Sequence, residues 1–93
     1  MKFIVNDKIY DTDKAEKVLN YRRRFPLTLT PQFCIWHDME LYRTAKDNWF
    51  SLKCEDFGKK TCIAHTVEEV KEIFKKCNRD ELYAQYFGDL EEA

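Results

Sequence analysis

The stretch "FCIWHDMELYRTAKDNWFSLKCEDFGKKTCIAH", residues 33–65, decides the fold. Within it "FCIWHDMELYRT", "NWFSLKCE" and "KTCIAH" read as three strands, bounded by turn residues at Ala45-Lys46-Asp47-Asn48 and around Phe57-Gly58. Strands joined by turns this short pair as an antiparallel meander. The second turn leaves two registers open. A two-residue Phe57-Gly58 turn pairs Cys54 with Thr61 and sets Cys54 and Cys62 on opposite faces. A three-residue Asp56-Phe57-Gly58 loop sets them on the same face.

Upstream, "FIVNDKIY" alternates around Asn6-Asp7, a pair that tolerates the positive φ of a tight hairpin. That turn opposes Val5 to Lys8, Ile4 to Ile9 and Phe3 to Tyr10, with Ile4 and Ile9 on one face and Phe3, Val5 and Tyr10 on the other. In "DTDKAEKVLNYRRRF", Asp13 with Glu16 three residues on reads as a helix start, and Ala15, Val18, Leu19 and Arg22 recur at helical spacing. The spacing predicts a helix that ends on Arg22, Arg23 and Arg24, where cations suit the helix dipole, and that Pro26 stops; Pro31 follows a short extended "LTLT".

Downstream, Thr66 and Glu69 form a capping-box pair ahead of a stripe of Val67, Val70, Ile73 and Phe74. After Cys77-Asn78, "RDELYAQYF" places Leu82, Tyr83, Tyr86 and Phe87 on one side of a second helix ending near Gly88, followed by the acidic tail Asp89–Ala93. The expected architecture is one α+β domain over residues 1–93: an N-terminal β-hairpin and helix, an antiparallel β-meander, and two C-terminal helices.

A 93-residue chain buries little more than roughly 60% of the surface its unfolded form exposes, so a staple would help it. With 44% hydrophobic and 15% aromatic residues it has the material for a core, which argues against disorder. No apolar run is long enough to span a bilayer, and the N-terminus alternates and carries charge too early for a signal-peptide core; the expected location is the cytosol, where the cysteines are free or metal-bound rather than paired. Sixteen basic residues against seventeen acidic ones give a net charge of −1. That balance supplies neither the field of a general nucleic-acid binder nor the acidity of a whole-protein DNA mimic.

The motif "CIxH" occurs twice, at Cys34–His37 and Cys62–His65, and takes in both histidines and two of the four cysteines. Zinc prefers four tetrahedral nitrogen and sulfur ligands, and two Cys-x2-His stretches complete a Cys2His2 set. In a straight strand, residues three apart point to opposite faces, so each pair needs a bend. His65 has one available at the Thr66 cap; Cys34–His37 needs a bulge near Trp36. Cys54 and Cys77 are reserve ligands. With every position filled by protein, such a zinc is structural. The plain alternative is that the cysteines are small buried hydrophobes and the histidines hydrogen-bonded side chains.

A Cys–His nucleophile pair lacks an identifiable orienting residue and oxyanion loop, which argues against an enzyme. Arg22, Arg23 and Arg24, beside Tyr21, form a candidate partner-binding cluster for phosphates or an acidic protein patch. The acidic starts of the two C-terminal helices, Glu68, Glu69 and Glu72, then Asp80 and Glu81, argue against helix-turn-helix DNA binding. Trp36, Trp49 and Tyr42 are candidate anchors if exposed and core if not.

Taken over most of its length, in "NDKIYDTDKAEKV", "ELYRTAKDNWFSL", "TVEEVKEIFKKC" and "YFGDLEEA", the chain resembles small proteins carried by phages and other mobile elements of low-GC Gram-positive bacteria. Proteins of this size in those neighbourhoods include type II-A anti-CRISPR proteins, which act on Cas9. The resemblance implies a stoichiometric inhibitor of a host defence nuclease, with Cas9 or its guide-RNA complex as partner. The alternative is a nucleic-acid-binding accessory or regulatory protein using the arginines. Where relatives carry a longer glycine-containing insertion, this chain has only "EDFGKK", and the doubled CIxH is not a mark of the group.

Overall fold

A computed structural model describes residues 1–90. The chain runs through β1 (Lys2–Val5), β2 (Lys8–Asp11), β3 (Ala15–Pro26), β4 (Cys34–Thr44), β5 (Trp49–Cys54), β6 (Lys60–His65), α1 (Val67–Lys76) and α2 (Asp80–Phe87). β1 and β2 form a separate hairpin, and β3-β4-β5-β6 form one antiparallel sheet. The α+β class, hairpin, meander and two C-terminal helices are those expected from the sequence. No helix among the described residues is long and apolar enough to cross a membrane. Of the expected acidic tail, residues 91–93 lie outside the described residues.

The hairpin has the anticipated register, Phe3 to Tyr10, Ile4 to Ile9 and Val5 to Lys8. Asn6 and Asp7 take the positive φ values of its turn, 50° and 62°. Tyr10, with Phe3 and Val5, packs on Tyr42, Phe50 and Leu52 of the sheet, while Ile4 and Ile9 face outward. The helices cover the other face, where Val70, Phe74, Leu82, Tyr86 and Phe87 enclose Trp49, Leu19, Tyr21, Met39 and Leu41. The sheet is thus the middle of three layers, with two cores divided by strand alternation. In α1, Thr66 and Glu69 close the predicted capping box, at 3.2 and 3.0 Å. Val70 and Phe74 of its predicted stripe are buried, whereas Val67, at the first turn, is exposed.

The predicted N-terminal helix is instead the strand β3. Asp11, not Asp13, caps a single 3₁₀ turn at Thr12–Lys14, accepting from the Asp13 N–H at 3.0 Å. The helical spacing has a specific origin in a β-bulge. Lys17 pairs with Tyr42 and Leu19 with Leu41, so Val18 is an extra residue in the ladder. Before the bulge Ala15 belongs to the hairpin-side core; after it Leu19 and Tyr21 belong to the helix-side core. Inserting one residue between two stretches of period 2 imitates the i, i+3, i+4 spacing of a helix. Pro26 ends β3 without needing a ladder donor, and residues 27–33 form the loop to β4, with "LTLT" lying in that loop.

Candidate docking surface

β3 and β4 outrun the rest of the sheet. β4 pairs with β5 only from Asp38 to Arg43, whereas Arg23 to Pro26 pair with His37 to Cys34 and with nothing else. The result is a two-stranded ribbon that projects beyond β5. From Arg22 to Trp36 every side chain except Phe25 and Thr30 is exposed. The stretch from Arg22 to His37 carries three arginines and no Asp or Glu.

Strand alternation gives the ribbon two faces. Arg22 and Arg24 share one face with Trp36, which lies directly across from Arg24. The Arg22 guanidinium is 5.9 Å from the Trp36 ring centroid. Arg22 also meets Asp38 at 3.5 Å, but both side chains are well exposed, so that pair holds little energy. On the other face Phe25 is sandwiched by Arg23 at 4.8 Å and Lys53 at 4.3 Å, and meets the His37 ring edge-on at 5.6 Å. His37 Nδ1 donates to the Cys54 carbonyl at 3.1 Å and ties the ribbon base to the end of β5. The β5–β6 turn leaves the sheet at the same end and carries Phe57, fully exposed in a left-handed conformation at φ 60°. All three exposed aromatics among the described residues, Phe33, Trp36 and Phe57, therefore gather at this apical end.

Tyr21, expected to flank the arginines at the surface, is buried and belongs to a polar chain crossing the sheet. Its hydroxyl lies 2.7 Å from Ser51 Oγ, and Ser51 Oγ lies 2.7 Å from His65 Nε2. His65 Nδ1 has no hydrogen-bond partner and faces Glu69 at 3.6 Å. Burial holds the imidazole below its ordinary pKa against the opposing pull of Glu69, and raises that of Tyr21. Glu69, His65 and Ser51 stand in the order of a hydrolytic triad, yet Ser51 is 0% exposed and its hydroxyl is shared with Tyr21. This network pairs the Tyr21 and Ser51 hydroxyls and His65 Nε2 with one another, and its serine is closed to solvent. No sequence motif announces it, because residues 21, 51 and 65 meet only through sheet pairing.

The two CIxH stretches do not converge. Each lies in an unbroken ladder, so Cys34 and Cys62 project from one face and His37 and His65 from the other. Cys62 pairs with Leu52 and Leu52 with Glu40, which places Cys34 six residues further along β4, roughly 20 Å away. His65 relates to His37 through Trp49 and Arg43 by the same offset. A zinc with bonds of about 2.0–2.3 Å cannot take all four in this arrangement. Cys54 does share a face with Cys62, as the longer turn requires, since Cys54 pairs with Lys60. Cys77 ends α1 in the opposite layer. Among the described residues no group of three or more His, Cys, Asp or Glu is placed to hold a metal. Burial pushes the Cys62 thiol up to about 11, which also withholds a thiolate from Cys–His chemistry. Compared with protein-family models, curated proteins and solved structures, the chain matches none.

Proposed function

We propose that the chain is a non-catalytic binding protein, a stoichiometric inhibitor of a host defence nuclease that docks on Cas9 or its guide-RNA complex through the apical end. The supporting observation is the concentration of Arg22, Arg23, Arg24, Phe33, Trp36 and Phe57 on one projecting end, while the remaining aromatics serve the two cores. Arginine and aromatic residues are the side chains from which binding hot spots are most often built. At the ribbon base, Phe25 packs against the helix-side core and His37 bonds the Cys54 carbonyl, which ties the projecting strands to the sheet. The target class comes from the resemblance of the sequence to phage-borne proteins.

The test is a pull-down with Cas9–guide RNA, together with target cleavage at equimolar inhibitor. The parent protein is expected to be retained and to suppress cleavage. A variant carrying Arg22→Ala, Arg24→Ala and Trp36→Ala is expected to melt within a few degrees of the parent and to lose both effects. Unchanged cleavage with no retention of the parent removes this target.

A further inference from the structure

The uneven charge of the ribbon points to what it touches. Arg22 and Arg24 stand two residues apart on one face, hence roughly 7 Å apart along the strand. This spacing is comparable to that of successive phosphates in an extended single strand. Trp36 lies across from Arg24 with 54% of its surface exposed. Its ring is large, accessible and bordered by two cations, the combination that receives an unpaired base while its phosphates are neutralised. Asp38, at the ribbon base, is the acidic residue near this face, and its 3.5 Å contact with Arg22 joins two exposed side chains, so water screens it and the guanidinium is released at little cost. The net charge of −1 keeps the rest of the molecule from adding non-specific attraction.

We propose that the Arg22–Arg24–Trp36 face grips a single strand of nucleic acid, with the arginines on adjacent phosphates and Trp36 stacked against a base. The proposal rests on the apical end being the docking surface and specifies a polyanionic strand as the contact. A protein patch and duplex nucleic acid are the rival occupants, and the measurement separates them.

The chain has two tryptophans, and Trp49 is only 4% exposed beneath the aromatic residues of α1 and α2, so a stacking base reaches Trp36 alone. Labelled U12 and dT12 oligonucleotides and a blunt 12-base-pair duplex would be titrated at low salt, following anisotropy and tryptophan emission. Expected results are saturable binding of both single strands with quenching, absence of quenching in Trp36→Phe, and at least tenfold weaker binding in Arg22→Ala/Arg24→Ala. The double variant should also flatten the slope of log K against log salt by about 1.4, from two lost phosphate contacts at about 0.7 each. Circular dichroism of each variant checks that the fold is kept. No binding by the folded parent, binding without quenching, or preference for the duplex overturns the proposal. If the oligonucleotides fail and the Cas9 pull-down succeeds, the ribbon contacts protein and the docking surface stands. Oligonucleotide binding without nuclease retention removes the target and leaves this inference standing.

Discussion

Ser51 is the residue on which most buried polarity depends. Its hydroxyl serves both Tyr21 and His65 at 2.7 Å inside the helix-covered face. Ser51→Ala leaves two buried groups without their partner and is expected to cost about 1–3 kcal/mol. At this chain length each kcal/mol lowers the melting temperature by about 4–8 °C, which a thermal melt reads directly. His65 makes stability depend on pH. Its folded-state pKa lies below the ordinary 6.5 because of burial. As pH falls through 6.5 the unfolded chain therefore takes up the proton first, and stability drops until the folded pKa is passed. The urea midpoint is expected to decline from pH 7 toward 5.5, and His65→Gln is expected to remove that decline. The contribution of Glu69, whose carboxyl is held low chiefly by the Thr66 backbone N–H, is lost separately, as pH falls below 4.5. At Phe57, with φ 60° and a fully exposed ring, glycine removes about 1 kcal/mol of left-handed strain. Phe57→Gly is expected to raise the urea midpoint while weakening docking, and an unchanged or lower midpoint would contradict the strain argument.

Among the elements, α1 is the one whose sequence signals agree at every level: cap, stripe and C-terminal lysines. Thr66→Ala removes the side-chain half of the capping box and is expected to cost about 0.5–2 kcal/mol, seen as an earlier melt with unchanged far-UV shape. β3 is the opposite case. Its apolar residues were legible, but their period was not, because the bulge at Val18 shifts Leu19 and Tyr21 out of phase with Ala15 and Lys17. Only pairing with β4 distinguishes a bulged strand from a helix here, and that pairing spans a long-range contact no local window contains. The hairpin and the β4–β5–β6 meander were readable because their turns are short and their alternation is uninterrupted.

For the molecule as a whole, two cores lie on opposite faces of one sheet, one around Trp49 and Phe74 and the other around Tyr10 and Phe50, and the sheet register holds the two CIxH stretches apart. The expected outcome of native mass spectrometry is a metal-free chain, with a melting temperature unchanged by EDTA. One zinc per chain, lost in Cys62→Ser, would require an arrangement of the two CIxH stretches different from this one. The arginine triplet was legible as a candidate surface, yet its setting was not. A helix end would have dispersed the three side chains around a cylinder, whereas the strand puts Arg22 and Arg24 on one face beside Trp36 and Arg23 on the other.

The sequence by itself determined the α+β class, the first hairpin with its register, the three meander strands and both helices, since each rests on neighbours within a few residues: turn chemistry, caps and unbroken periodicity. Tertiary structure alone decided that residues 15–26 are a strand, that the repeated CIxH separates onto opposite faces, that Tyr21, Ser51 and His65 meet, and that the ribbon projects with its arginines beside an exposed tryptophan. The reason is the same in each case: a face of a sheet is defined by which strands pair and in what register, and one inserted residue reverses it.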